Sequence, residues 1–140
     1  MKRGVLADHQ IRSLIDSRGI RAAQAVEPGQ IQPASLDLRL GTKAYRVRAS
    51  FLAGKGHSVA ERLRDFTMHE IDLTGGAVLE KNCVYVVPLM ESLTLPDGMS
   101  AAASAKSSTG RLDLLTRVIA DNGAEFDRVP AGYDGPLYAE

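Results

Sequence analysis

The stretch SLDLRLG, residues 35–41, decides the fold class, because every second position in it is a leucine (Leu36, Leu38, Leu40). Alternation of apolar with other residues is the period of a strand that buries one face. We therefore predict a half-buried strand over these residues. Ala44–Arg48 is interpreted as its hairpin partner, joined through the glycine-containing turn 41–43.

Further strand-like segments follow at close spacing: Met68–Leu73, Ala77–Leu79, Val84–Leu89 and Ser92–Leu95. Glycine-containing turns separate several of them. One helical pattern precedes them, with Asp8 as its expected N-cap and Gly19 as its end. Residues 53–65 predict a surface loop or a short helix. Together these elements predict one mainly β domain over residues 1–140, an antiparallel sandwich or barrel with a short N-terminal helix.

The composition argues against a protein that coats DNA or RNA. The chain has 140 residues, 44% hydrophobic and 24% charged, which is the balance of a folded globular domain. Lysine plus arginine number 17, as do aspartate plus glutamate, so the net charge is zero. Polymeric nucleic acid is bound with a basic excess, because phosphate contacts supply most of the affinity. A single nucleotide, in contrast, needs only a local basic pocket.

Cysteine content and hydropathy predict a soluble cytoplasmic protein. Cys83 is the only cysteine, so no intramolecular disulfide can form, and a reducing compartment is expected. Its strand-like setting favours a packed thiol over a reactive one. No segment approaches the roughly 20 apolar residues of a membrane span. Residues 1–20 also lack a signal-peptide core.

The first motif that could carry chemistry is KSSTGR, residues 106–111. Serine hydroxyls between two cations, Lys106 and Arg111, are groups that can surround a phosphate. Gly110 lets backbone N–H groups approach the same anion. An ordinary polar loop explains the same residues, so both interpretations stay open on the motif alone.

The second motif is GYDGPLYAE, residues 132–140, in which a glycine-framed turn precedes an alternating segment that ends in Glu140. A carboxylate in a closed apolar pocket can serve as a proton shuttle, because burial disfavours the charged form. A solvated end residue is the alternative. A third feature is Asp37 with Arg39 on one face of the predicted strand, where a structural ion pair and a substrate contact are both open.

Catalytic zinc is not predicted. The zinc deaminases of bases and nucleosides need a His-x-Glu element and a Pro-Cys-x-x-Cys element, and one cysteine cannot supply the second. The three histidines lie in separate segments and are interpreted as surface or structural residues (His9, His57, His69). The sequence also lacks the Gly-x-x-x-x-Gly-Lys-Ser/Thr loop of P-loop NTPases.

Taken in order, five segments resemble the dCTP deaminase family, a branch of the trimeric dUTPase superfamily. They are GVLADHQI (4–11), IQPASLDLRLG (31–41), ESLTLP (91–96), KSSTGRL (106–112) and GYDG (132–135) followed by Glu140. They are similar to the family's first helix, its first strand, the segment before its phosphate motif, its Arg-Ser-Ser-x-x-Arg-Leu element, and its Gly-aromatic-x-Gly turn with a downstream catalytic glutamate. Lysine replaces the first arginine of the phosphate element.

The resemblance implies a dUTPase-like distorted β-barrel or sandwich (β-clip) that deaminates dCTP to dUTP and ammonia. It assigns general-base catalysis to Glu140 and polarisation of the reacting site to Ser107 and Arg111. Nucleotide and phosphate binding fall to Lys106, Ser107, Ser108, Arg111 and Arg128, and the base pocket to Ala120 and Tyr133. The resemblance also implies Mg²⁺ with the triphosphate, no zinc, and a homotrimer whose sites lie between subunits.

The chain departs from the family in three places. The link 121–127 is longer than usual, and Pro130 replaces an aspartate of many members, with Asp127 as a candidate substitute. The chain stops at Glu140, where members continue, so we expect an incomplete domain similar to the N-terminal piece of a longer, two-half variant. A dUTPase or bifunctional enzyme that releases pyrophosphate stays an alternative, as does a truncated non-catalytic nucleotide-binding or oligomerisation module.

Overall fold

The computed structural model describes residues 4–140, which form a mainly β fold. The helices are α1 (Asp8–Asp16), α2 (Val59–Phe66) and α3 (Ser107–Gly110). The strands are β1 (Ile20–Ala22), β2 (Lys43–Val47), β3 (Thr67–Asp72), β4 (Val84–Thr94), β5 (Ala101–Ala102), β6 (Val118–Ala120), β7 (Arg128–Val129) and β8 (Asp134–Ala139). The mainly β prediction is confirmed. None of the helices within 4–140 is long and apolar enough to cross a membrane.

Strand β4 organises the main sheet. The sheet runs β3-β2-β4-β8-β6, with β1 paired to β4 outside this path, and its pairings are antiparallel. Because β4 is 11 residues long, its first part pairs with β2 and its later part with β8 and β1. A second, two-stranded sheet joins β5 to β7. Strand β8, which ends just before Glu140, therefore lies between β4 and β6.

The sheet separates two apolar cores, because neighbouring side chains on a strand point to opposite faces. Ala120 and Leu137 belong to the first core, where Ile11 of α1 is also buried. Ile119 and Tyr138 belong to the second core, which α2 covers. Each core thus has one helix over it, and β6 and β8 contribute to both.

Helix α1 begins and ends earlier than the sequence predicts. Asp8 is its first residue rather than its N-cap, a position that Ala7 occupies. The backbone N–H of Ala7 donates to the Gln10 side chain at 2.9 Å. Gln10 thus caps the first turn, although alanine at the N-cap position has no side-chain acceptor of its own. The helix ends at Asp16, before Gly19. Existence and position of the helix are confirmed, and both boundary assignments are wrong.

The segment 53–65, which predicts a surface loop or a short helix, forms all of α2 except its last residue, Phe66. Ser58 and Glu61 cap it reciprocally: the Glu61 N–H donates to Ser58 Oγ at 3.1 Å, and the Ser58 N–H donates to Glu61 Oε2 at 3.0 Å. This capping hydrogen bond lowers the pKa of the Glu61 carboxyl, since it favours the ionised form. The buried face of α2, with Val59 and Leu63, packs on the second core.

The strand predicted at Leu36–Leu40 is not a ladder strand. Only isolated bridges occur there, from Leu36 to Ile31 and from Leu40 to Leu89. The predicted hairpin is also wrong, because β2 pairs with β3 and β4 instead. The segment is extended and attached to β4 in two ways. The Met90 N–H donates to the Arg39 carbonyl at 2.9 Å and the Gly41 N–H to the Pro88 carbonyl at 2.8 Å. The buried Glu91 carboxylate also accepts from Arg39 Nε and from the Arg39 N–H, both at 2.8 Å.

Two further strand assignments are corrected. Ala77–Leu79 forms no strand and lies in an exposed loop. The segments Val84–Leu89 and Ser92–Leu95 form one continuous strand, β4. The apolar-polar pattern breaks at Glu91 because this carboxylate is buried inside the fold, with 1% of its surface exposed. Charged residues are rarely buried, so a pattern of alternation places a strand end at Glu91, where the strand in fact continues.

Candidate functional site

Glu140 continues the ladder between β8 and β6. Its N–H donates to the Arg117 carbonyl at 2.8 Å, and its carbonyl accepts from the Arg117 N–H at 2.9 Å. Its half-buried carboxylate faces the hydroxyl of Ser50, which lies 2.7 Å from Oε1 and 2.9 Å from Oε2. Ser50 is exposed, so this carboxylate is fixed but open to water rather than enclosed by apolar groups. A carboxylate so held can accept a proton from a bound water.

The phosphate-type motif forms α3 and its flanks at the surface. Ser107, Ser108 and Arg111 are exposed, and within residues 4–140 their side chains form no hydrogen bond or ion pair. Thr109 closes the turn locally, its hydroxyl donating to the Lys106 carbonyl at 2.8 Å. Two hydroxyls and a guanidinium on one exposed turn remain available to an anion.

Lys106 connects this motif to the segment 30–41. Its Nζ lies 2.7 Å from Asp37 Oδ2. Of the two roles left open for Asp37 and Arg39, the mutual ion pair does not form: Arg39 pairs with Glu91 at 2.8 Å. The physical reason is burial, since the fully buried Glu91 carboxylate needs a charged partner more than the partly exposed Asp37 does.

Ala120 and Tyr133 lie in the first core, with 2% and 7% of their surfaces exposed. The Tyr133 hydroxyl donates to the Pro136 carbonyl at 2.6 Å and accepts from the Asp121 N–H at 3.1 Å. Burial raises the pKa of Tyr133 to about 12, so the phenol is neutral at physiological pH. The side chains of Ala120 and Tyr133 therefore pack inside the core, where they support the turn and the end of β6. Because these side chains are buried, only the backbone atoms of the two residues could contact a base.

The link 121–127 is held in place by hydrogen bonds to the rest of the fold. Asp127 closes it, because Asp127 Oδ1 accepts from the Val118 N–H and the Asp127 N–H donates to the Val118 carbonyl, both at 2.8 Å. One oxygen of this carboxylate is thus engaged by backbone. Arg128, the expected phosphate contact, is exposed in β7, and Pro130 is exposed directly after that strand.

Two surface cavities of about 440 and 240 Å³ lie away from these residues. The larger is lined mostly by apolar side chains near the ends of β2 and β3, and the smaller lies against α1. Neither includes Ser107, Arg111 or Glu140 in its lining. Within residues 4–140, no group of three or more His, Cys, Asp or Glu side chains is arranged to hold a metal ion. The expectation of a zinc-independent reaction stays a prediction.

One chain therefore assembles the predicted site only in parts. Lys106 contacts Asp37 and Glu140 contacts Ser50, whereas no hydrogen bond or ion pair within residues 4–140 joins Glu140 to Ser107 or Arg111. Sequence reasoning missed Ser50, which stands 90 positions from Glu140 in an irregular segment after β2. A single serine in a loop carries no pattern that could have identified it.

Comparisons with known proteins show what this chain is similar to. The family model of the 2'-deoxycytidine 5'-triphosphate deaminase N-terminal domain matches residues 2–140. A crystal structure of 2'-deoxycytidine 5'-triphosphate deaminase from Agrobacterium tumefaciens is 60% identical, with a TM-score of 0.95 over 97% of this chain and 41% of that one. This similarity supports the dUTPase-like fold class.

Two curated relatives are named "dCTP deaminase, dUMP-forming". The protein of Pseudarthrobacter chlorophenolicus is 30% identical over 112 residues, which are 80% of this chain and 58% of that relative. The protein of Methanosphaerula palustris is 33% identical over 113 residues, 79% of this chain and 57% of that relative. The match thus spans less than two thirds of the length of either relative.

Proposed function

We propose a function from the premise that this chain belongs to the dCTP deaminase family, whose N-terminal-domain model matches residues 2–140. The proposed reaction is the hydrolytic deamination of dCTP. The observation that carries it is the Glu140 carboxylate, fixed at the end of β8 by a backbone pair with Arg117 and by the Ser50 hydroxyl. The 60% identity with a dCTP deaminase structure supports the same assignment.

Glu140 acts as the proton carrier in this proposal. Its carboxylate takes one proton from water while the water oxygen bonds to C4 of cytosine. The carboxyl then returns that proton to the amino nitrogen, the bond from C4 to nitrogen breaks, and ammonia leaves. The second water proton ends on N3, and the oxygen stays as the C4 carbonyl of uracil. Ser107 and Arg111 polarise the reacting site.

The triphosphate is bound by the exposed motif at α3. Ser107, Ser108 and Arg111 offer donors with no protein partner within residues 4–140, and Lys106 adds a cation beside them. Arg128 contributes a further cation from β7. Mg²⁺ accompanies the triphosphate, whose charge it reduces. The backbone atoms of Ala120 and Tyr133 contact the base.

The working unit in this proposal is a homotrimer with sites shared between copies. The exposure of α3 and the separation of its side chains from Glu140 within one chain support a site that is completed by a neighbour. Leu112 and Leu115, directly after α3, are 80% and 84% exposed, which also favours a covered surface in the assembly.

A second candidate reaction adds release of pyrophosphate, so that the product is dUMP. The name of the two relatives, "dCTP deaminase, dUMP-forming", favours it. Hydrolysis at the α-phosphate needs its own carboxylate-activated water, and Pro130 stands where many members of the family have an aspartate. We therefore rank dUTP as the product first.

The test incubates the chain with dCTP and Mg²⁺ and measures ammonia and pyrophosphate, with dUTP, CTP and dCMP in parallel. Ammonia without pyrophosphate supports the first reaction, and equal amounts of both support the second. Glu140→Gln should reduce ammonia release on the order of 100- to 10,000-fold while the protein stays folded. Glu125→Gln, a change of another carboxylate that is exposed, is the matched control. Nucleotide binding without ammonia would instead favour a non-catalytic module.

A further inference from the structure

Ser50 lies on a short segment that is anchored on both sides. Before it, the Arg48 N–H donates to the Phe66 carbonyl at 3.0 Å. After it, Phe51 is buried in the second core and stacks at a tilt on Phe66, with 5.0 Å between ring centroids. These anchors hold the Ser50 hydroxyl beside both oxygens of Glu140, at 2.7 and 2.9 Å.

We infer that Ser50 is a positioning residue for the Glu140 carboxylate, an inference that rests on the proposed deamination. The proposed reaction requires Glu140 to alternate between carboxylate and carboxylic acid. A hydroxyl can follow this change, since it donates to the carboxylate and accepts from the protonated acid. A backbone N–H or a guanidinium could only donate. Ser50 thus keeps one orientation of Glu140 through both halves of the proton transfer.

The contact is not needed to keep the protein folded. Ser50 is exposed, so loss of its hydroxyl leaves no buried polar group behind. The backbone of Glu140 is held independently by Arg117. Orientation of one carboxylate is therefore the property that depends on this hydroxyl, and catalysis is sensitive to such orientation because a shift of about 1 Å can cost about 100-fold in rate.

The experiment measures kcat and KM for ammonia release from dCTP in the wild-type chain, Ser50→Ala and Ser50→Thr. We expect Ser50→Ala to lower kcat on the order of 10- to 100-fold with KM nearly unchanged, and Ser50→Thr to restore most of kcat because it returns the hydroxyl. Ser58→Ala is the control: it removes a hydroxyl that caps α2, so it should lower stability without changing kcat.

If Ser50→Ala fails to fold, Ser50→Thr against Ser50→Val gives the same comparison with equal side-chain volume. If the wild-type chain is active and Ser50→Ala has the same kcat, or Ser50→Thr and Ser50→Val have equal kcat, the role of Ser50 is overturned. The proposed function would stand in that case. A rise in KM with unchanged kcat would overturn it too, since that result assigns Ser50 to substrate binding. Wild-type protein that releases no ammonia would overturn the proposed function, and the inference would fall with it.

Discussion

At the scale of single residues, the buried Glu91 carboxylate is the point at which two residues of the N-terminal part of the chain meet the central strand. It is 1% exposed, and its Oε1 accepts from Arg39 Nε at 2.8 Å and from Gln30 Nε2 at 3.0 Å, while Oε2 accepts from the Arg39 N–H. The Arg39 guanidinium also donates to the carbonyls of Gln24 and Ala25. Arg39 and Gln30 thus attach the segment 24–39 to Glu91 on the central strand.

Arg39→Ala should be strongly destabilising, because it leaves Glu91 buried without its cation. Removal of one partner of a buried pair costs about 3–5 kcal/mol in the free energy of unfolding. Arg21→Ala is the matched control, since Arg21 pairs with the exposed Asp134 at 3.0 Å and exposed pairs contribute about 0–1 kcal/mol. Urea unfolding of both variants checks this, and equal losses would contradict the weight given to Glu91.

At the scale of elements, the long link 121–127 and the N-terminus of α2 form one unit. Asp121 Oδ1 accepts from the Val59 N–H at 2.8 Å, and Asn122 Oδ1 accepts from the Gly56 N–H at 2.9 Å. The Gly54 N–H donates to the Gly123 carbonyl at 3.0 Å. Two segments that are distant in sequence therefore satisfy backbone groups of one another.

Asp121→Ala should destabilise the protein by about 1–3 kcal/mol, because it leaves the N–H of Val59 without an acceptor at a buried position. Asp121→Asn is the control, since its amide oxygen keeps the acceptor. Thermal or urea unfolding distinguishes the two variants. If Asn and Ala lose the same stability, the charge of Asp121 rather than the hydrogen bond would be the stabilising factor.

Local patterns in the sequence predicted those elements whose residues follow one uninterrupted period. The α1 region, β3 and the β8 segment follow periodicity and turn chemistry, and all three form. The segment 36–40 has the period of a strand, but an isolated bridge to β4 and the pairing of Arg39 with Glu91 hold it in place of a continuous ladder, which periodicity cannot reveal. Such long-range side-chain pairing decides register and partner choice, and no local pattern encodes it.

The candidate site divides in the same way. Residues 106–111 and 132–140 are contiguous motifs, so they stand out in the sequence. Ser50 contributes through a contact that spans 90 positions. The Asp127 carboxylate accepts from the Val118 N–H, and Asp127 has a left-handed backbone conformation with φ of 61°. These roles depend on where the chain folds back, and become visible only in the structure.

At the scale of the molecule, β4 is the common reference for both parts of the proposed site. Glu140 follows β8, which pairs with β4. The motif at α3 is linked by Lys106 to Asp37, and the neighbouring Arg39 is fixed to Glu91 of β4. Both parts are therefore attached to the same strand, one through β8 and the other through the segment 37–39, yet within residues 4–140 no hydrogen bond or ion pair joins Glu140 to Ser107 or Arg111. A neighbouring copy supplies the missing part in our proposal.

A complementation experiment tests this sharing of sites. Glu140→Gln and Arg111→Ala should each be inactive alone, because each removes one part of every site. After equal amounts are unfolded and refolded together, about one quarter of the sites in a randomly mixed trimer combine a wild-type Glu140 with a wild-type Arg111 from the neighbour, and ammonia release should return to about that fraction. Sites formed within one chain would regain nothing on mixing, so an inactive mixture of folded, co-assembled variants would assign both residues to the same copy.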